Sequence, residues 1–341
     1  MAQRWLVRFS MMAVFLAWIV IGLGVFTRLI DAGLGCPDWP GCYGHLSVPN
    51  SANTVSTNTT FSQTPLIKTK AWTEMIHRYF AGALALLVML IALLCARLSA
   101  KAGFHFILLG MLLFTLIIYQ ALLGMWTVTL KLLPMVVSQH LLGGMTLLAL
   151  LWLTFLNARQ TNPVTPVSLP RYLKPIALWG LILVVIQLAL GAWTSTNYAA
   201  LVCPGFPFCQ PTQALRYDFH AAFNLFSPIG VNYEGGNLSD AARMSIQMTH
   251  RVFALMVTLY LIALAMMVNS LGNHGRDLKR LMKIILLVLT LQIALGILNV
   301  KFSLPVLIAI AHNLFATFLL LLMITLNYQL RKVNDDTNKH S

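Results

Sequence analysis

A chain of 341 residues with 58% apolar and only 9% charged side chains, and a mean hydropathy of +0.78, lacks the polar material to cover a water-soluble globule. A formal charge of +14 would suit a nucleic-acid binder only if it were gathered on one face, and the strict alternation of membrane barrel strands is absent. Helices in lipid remain, because each segment in hydrocarbon must satisfy its own backbone hydrogen bonds.

The first apolar run, about residues 9 to 27, follows Arg4 and Arg8. No small-residue cleavage site precedes the loop that begins RLID, so it reads as a retained helix rather than a signal peptide. Further runs lie at about 79 to 96, 102 to 130, 132 to 158, 175 to 196, 252 to 273, 284 to 300 and 302 to 330. Each approaches the roughly 20 residues a spanning helix needs. With the N-terminus cytoplasmic, the inner segments hold 14 of the 23 Lys and Arg against three acids, and the outer ones nine bases with six acids. The basicity is therefore positive-inside topology with both termini cytoplasmic, not a nucleic-acid surface.

The odd-numbered helices share a pattern near their outer ends: VIGLGVFT, QALLGMWT, QLALGAWT and QIALGILN, which align Gly24, Gly124, Gly191 and Gly296. Taken singly, each glycine is explained by close helix approach; the fourfold register asks for more. The even-numbered helices each carry one histidine, His77, His140, His250 and His312, with EMIHR reappearing as QMTHR. These spacings describe a tandem duplication of a four-helix unit. The expected fold is an all-α membrane protein of eight transmembrane helices in two pseudo-symmetric four-helix bundles. Its expected parts are an N-terminal bundle over 1–158 with an outer loop at 29–71, a cytoplasmic linker over 159–174, a C-terminal bundle over 175–330 with an outer loop at 197–244, and a cytoplasmic tail over 331–341. The Thr- and Ser-rich stretch 50–64 reads as mobile, and four prolines, at 163, 166, 170 and 175, mark the join between halves.

One intramembrane histidine can be a packing residue; four at one depth, two per bundle, suit a flat metal complex ligated from both sides, and haem fits imidazole donors in an apolar pocket. Arg78 and Arg251 directly follow a histidine in each half. They are candidate partners of haem propionates, or else snorkel to lipid headgroups. Glu74 stands three residues before His77, where the second half has Gln247 before His250. A buried acid is costly, so the haem beside Glu74 is the candidate for chemistry and the one beside Gln247 for electron transfer; the alternative is an interfacial pair between Glu74 and Arg78.

CPDWPGC (36–42) and CPGFPFC (203–209) share the form CPxxPxC, and both lie outside the membrane. Their spacing favours local disulfides, Cys36 to Cys42 and Cys203 to Cys209, over a zinc site. Each bridge is either a staple or a redox-active pair. Cys95 is left unpaired. The 16 methionines read as membrane packing.

The stretch TRLIDAGLGCPDWPGCYG, together with EMIHR, the four histidines and the paired cysteines, closely resembles the haem A synthase family, and the resemblance covers nearly the whole chain. It implies oxidation of a methyl group of haem O to the formyl group of haem A in two successive steps, for cytochrome oxidase. It maps the substrate-haem ligands onto His77 and His140, the essential acid onto Glu74, and a haem b cofactor onto His250 and His312. As partners it implies haem O delivered by haem O synthase, the cytochrome oxidase assembly machinery and an electron acceptor; a homo-oligomer is compatible with it. A bacterial inner membrane, with the long loops periplasmic, follows from the absence of an Arg- and Ser-rich presequence. Two other readings use the same histidines: a dihaem b-type membrane electron carrier acting as a quinol oxidoreductase, which gives no reason for Glu74 in one half only, and a haem transporter.

Overall fold

The computed structural model describes residues 2–50, 65–159, 170–209, 216–271 and 275–339. All but the first residue of the stretch expected to be mobile, and most of the expected linker, lie outside them. Eight helices are long and apolar enough to cross a membrane: α1 (Ala2–Leu29), α2 (Lys68–Ala102), α3 (Phe104–Thr129), α4 (Pro134–Ala158), α5 (Leu173–Thr196), α6 (Asp240–Asn269), α7 (Arg276–Lys301) and α8 (Val306–Lys339). A single helical turn, Phe219–Ala222, interrupts the second long loop. No strand is formed among the described residues, apart from one isolated bridge between Cys42 and His45.

Several helices outrun their apolar stretches. α2 starts at Lys68 and α6 at Asp240, about three turns before the apolar residues begin, because the run marks only what lipid covers while capping groups set where helix starts. At α6 the Ser239 hydroxyl accepts from the Ala242 amide at 3.3 Å. The expected inner loop after residue 96 is also absent: α2 continues to Ala102, and Gly103 alone makes the turn into α3. Its φ of +101° is a conformation that side chains with a Cβ rarely adopt.

The odd-numbered helices end alike. In each, an amide five residues on bonds back to the last residue of the aligned motif: Ala32 to Thr27 at 2.9 Å, Leu132 to Thr127 at 2.8 Å, Ala199 to Thr194 at 3.0 Å and Leu304 to Asn299 at 2.7 Å. The residue before that amide is left-handed every time, at Asp31, Lys131, Tyr198 and Ser303, with φ between 49° and 55°. This six-to-one closure satisfies a carbonyl that the helix end would otherwise orphan. Pro134 then opens α4, where its missing N–H costs nothing.

The chain divides into two units: Met1–Arg159 with Asn224–Asn237, and Gln160–Phe223 with Leu238–Ser341. In the first, α1 packs on α2 and α4, and α3 on the same two, so the helices form a ring with α2 diagonal to α4. In the second, α5 and α7 each pack on α6 and α8, leaving α6 diagonal to α8. Segment 224–237 belongs to the first unit, where the Tyr233 amide donates to the Lys131 carbonyl at 3.0 Å and Lys70 pairs with Glu234 at 3.4 Å.

Candidate functional site

The four histidines sit on the diagonal helices of their rings, six to ten residues in from the helix starts. Each imidazole lies against the aligned glycine of the preceding helix. A Cβ on Gly24 would stand 3.0 Å from Cε1 of His77; the matching distances are 3.5 Å for Gly124 and His140, 3.2 Å for Gly191 and His250, and 3.1 Å for Gly296 and His312. The fourfold glycine register is thus a cradle for four imidazoles, beyond a means of bringing helices together. Two such rings, presented from diagonal helices, reach the interior of a unit from opposite sides.

Whether these residues fit an axially ligated haem is tested by the free atoms of the imidazoles. Nδ1 of His77 and of His140 is buried with no hydrogen bond. His312 Nδ1 is 3.2 Å from the Gln292 carbonyl oxygen; that oxygen only accepts, so Nδ1 carries the proton and Nε2 keeps the lone pair a metal needs. Among the described residues no three His, Cys, Asp or Glu converge as they would around a bare ion. The donor set fits a planar iron complex held by one imidazole on each side.

EMIHR and QMTHR divide their labour by helical position. Glu74 is 4% exposed; its Oε2 accepts from the Cys36 amide at 2.8 Å and its Oε1 pairs with Arg78 Nη2. Arg78 Nη1 donates to the carbonyls of Asp38 at 2.8 Å and Pro40 at 3.3 Å, and to that of Gly41. Arg251 repeats the grip, with Nη1 donating to Gly205 and Pro207 at 2.7 and 3.3 Å and Nη2 to Cys203 at 2.8 Å. Its guanidinium also lies over the Phe206 ring, 5.9 Å from the centroid. Both guanidiniums, read from sequence as propionate partners or snorkelling groups, therefore hold the loops that follow α1 and α5.

Those loops carry the disulfides Cys36–Cys42 and Cys203–Cys209, each with a cis peptide before its second proline. The first bridge is bedded on Met75 and the second on Met244 and Met248, giving three methionines a particular task. Asp38 folds the first loop by accepting from the amides of Tyr43 at 2.6 Å and Gly44 at 2.8 Å. Burial, then the charges of Asp38 and Glu74, push the Tyr43 phenol above its ordinary pKa. Gly35 is needed where the loop crosses α2, since a Cβ there would stand 2.6 Å from the Lys70 carbonyl carbon. Gln247 is as buried as Glu74, but its Nε2 donates to the Ala200 carbonyl at 3.2 Å and its Oε1 has no partner. Cys95 is buried and free.

Sequence reasoning takes the spacing of Gln120 and Gln292 before His140 and His312 only as part of the duplication, and assigns no role to the glutamines that precede three of the aligned glycines. Gln187 Nε2 lies 3.2 Å from His250 Nδ1, and Gln292 Nε2 lies 3.4 Å from His312 Nε2. The signal was present in the motifs QALLG, QLALG and QIALG, four residues before each glycine.

The profile of the COX15-CtaA family, described as cytochrome oxidase assembly protein, matches residues 7–324. A haem A synthase of Shewanella oneidensis is 41% identical over 344 aligned residues, covering 99% of this chain and all of the relative. Haem A synthases of the Wolbachia of Brugia malayi and of Bacillus pumilus are each 25% identical, covering 92% and 91% of this chain and 92% and 90% of their own lengths.

Proposed function

The chain belongs to the COX15-CtaA family of cytochrome oxidase assembly proteins, and from that premise we propose that it is a haem A synthase, a multi-pass membrane enzyme that oxidises one methyl group of haem O to a formyl group. End-to-end likeness to the Shewanella enzyme carries the reading. We assign the substrate haem to His77 and His140 and a resident haem b to His250 and His312, each pair cradled by its glycines. The two termini are placed in the cytoplasm, and the stapled loops on the periplasmic side of a bacterial inner membrane, by the excess of Lys and Arg in the opposite segments. Haem O comes from the enzyme that makes it, and haem A passes to cytochrome oxidase assembly.

Methyl to formyl is a four-electron oxidation that adds one oxygen atom and releases protons. When bound, the resident haem would supply one-electron redox chemistry, which suits passing those four electrons one at a time to an external electron acceptor. His77 and His140 orient the substrate by presenting their imidazoles from diagonal helices. Glu74, on the His77 face of α2, is the proton acceptor. A carboxylate has about four lone-pair positions, and the Cys36 and Gly35 amides and Arg78 occupy three of them, so one acceptor position remains. The first loop, closed by its disulfide and by Arg78, keeps bulk water from the carboxylate. Expressing the protein with a supply of haem O and separating the extracted haems by chromatography tests the reading. A formyl haem is expected; recovery of haem O and haem b alone from folded, haem-loaded protein would overturn it.

A further inference from the structure

One side-chain amide inside the first unit has a donor to spare. Gln120, on α3, is 7% exposed, and its Nε2 is buried with no hydrogen bond. The carboxamide lies where a side chain at position 143 of α4 would stand: a Cβ on Gly143 would be 1.9 Å from Nε2. One on the next residue, Gly144, would be 3.9 Å both from Gln120 Oε1 and from Ile21 Cγ1 of α1. Gly143 follows His140 by three residues, and Gln120 precedes Gly124, the glycine against which His140 rests, by four. Amide and imidazole therefore share the interior of the unit. The amide lies about one helical turn, roughly 5 Å, further from the end that carries the stapled loop.

The second unit is filled at the same level. Counted from its cradled histidine, α8 has Phe315 where α4 has Gly143, and Phe315 packs against that unit's apolar core. Gln292, the counterpart of Gln120, has its Nε2 3.4 Å from His312 instead. Close helix packing alone would favour an apolar residue at position 120, because a buried donor without a partner is penalised. A missing side chain on α4, with an unpaired amide in its place, describes a polar subsite beside the His140 ring, and only one copy of the duplication has it.

The propionates of a haem are ionised, and burying a charge is costly, so they belong at the loop end of the unit, where water is nearer. The opposite rim then faces Gln120. On that rim haem O carries a hydroxyl-bearing isoprenoid chain where haem b carries a vinyl group. We propose that Gln120 and Gly143 form the subsite that recognises this substituent: the glycine gives the carboxamide its place against α4, and the carboxamide hydrogen-bonds the hydroxyl. Gln120 is thereby a specificity-determining residue, because haem b in the same position would leave the buried amide unpaired. The product keeps the hydroxyl, so one contact holds the substrate through both oxidation steps. The inference rests on the proposed assignment of the substrate haem to His77 and His140.

The test uses full-length protein purified from cells that make haem b but not haem O, after excess apomyoglobin has removed exchangeable haem. Titrating haem O or haem b into it in detergent, and following the Soret band, gives a dissociation constant for each. Wild type should prefer haem O. Gln120→Leu, close in size, should weaken haem O about tenfold and leave haem b unchanged or tighter, whereas loss of a residue that only packs would weaken both alike. Gly143→Ala puts a methyl carbon where the amide lies and should also reduce the preference for haem O, with haem b unchanged. Melts followed by circular dichroism check that the variants fold. Equal affinity of wild type for the two haems overturns the inference, and so does a wild-type preference in either variant or an equal loss of both haems in Gln120→Leu. His77→Ala separates the two levels: haem O binding that survives there overturns the underlying assignment, whereas its loss supports the assignment, and the variants at 120 and 143 then decide the inference on their own.

Discussion

Replacing Gly24 by alanine asks whether the glycine register serves the histidines or only the approach of helices. The added methyl carbon would stand 3.0 Å from Cε1 of His77, against 3.5 Å for the same change at Gly124 beside His140. Carbon atoms rest about 3.5 to 4.0 Å apart, so the imidazole at position 77 must retreat by about half an ångström, while that at 140 need not move. A buried ring retreats by leaving its rotamer, at about 0.5–1.5 kcal/mol for 30°, or by forcing its neighbours, at about 1–3 kcal/mol. Taking about 1.5 kcal/mol, haem occupancy in the first unit should fall about tenfold. The fold should not suffer, because alanine within a helix is favoured over glycine by roughly 0.5–1 kcal/mol. The signature is therefore loss of haem O and haem A with an unchanged or higher thermal midpoint, read by chromatography of extracted haems beside a melt followed by circular dichroism. Gly124→Ala should stay within about twofold of wild type, a difference under 0.5 kcal/mol. Gly296→Ala, at 3.1 Å from His312, should deplete haem b instead. Equal haem content in the Gly24 and Gly124 variants would refute the cradle.

Glu74→Gln keeps an acceptor for the Cys36 amide but removes the charge, so haem should still bind, with formyl product down at least a hundredfold within the usual range for acid–base groups; normal haem A in a haem-extract assay would remove Glu74 from the chemistry. Arg78→Ala strips three loop carbonyls and a buried carboxylate of their donor, a loss on the order of 3–5 kcal/mol, and limited proteolysis should cut between residues 30 and 50 in the variant alone; Arg78→Lys should rescue it only in part, since an ammonium cannot span the same carbonyls. Gly35→Ala drives a methyl into the Lys70 backbone at 2.6 Å, a contact with no flexible end to yield. It should detach the loop in the same proteolysis assay, by more than the roughly 1–3 kcal/mol of ordinary overpacking.

The membrane itself made much of the fold legible. Because hydrocarbon admits only self-satisfied backbone, eight apolar runs already imply eight helices, and a repeat in sequence registers as a repeat in space. The histidines were legible for the same reason: an intramembrane imidazole stands out against leucine. What each one rests on was not. Gly24 and His77 are 53 positions apart, and only folding shows that a missing Cβ on one helix makes room for a ring on the next. The arginines were harder still. Their partners at Asp38, Pro40, Gly41, Cys203, Gly205 and Pro207 are carbonyl oxygens, which every residue possesses and no motif advertises. Gln120 shows the limit from the other side, since it shares its register with Gln187 and Gln292 yet turns away from its histidine.

The duplication provides an internal control for Glu74. An acid beside an arginine at the edge of a membrane is ordinarily read as a structural pair, and the contact between Glu74 and Arg78 is there. The second half, however, holds an equivalent loop with the same disulfide spacing, the same cis-proline turn and the same arginine on three carbonyls, and does so without any acid: Gln247 occupies the position and binds Ala200 instead. The charge is therefore not required to hold a stapled loop onto its helix. Keeping an ionised group at 4% exposure is costly unless it is paired, and the same scaffold stands without that cost in its other copy. A charge that the architecture can do without supports the proposed assignment of Glu74 to the chemistry. Had the second half carried an acid at position 247, or had Arg251 left its loop carbonyls unbound, the pairing of Glu74 with Arg78 would have sufficed as an account of both.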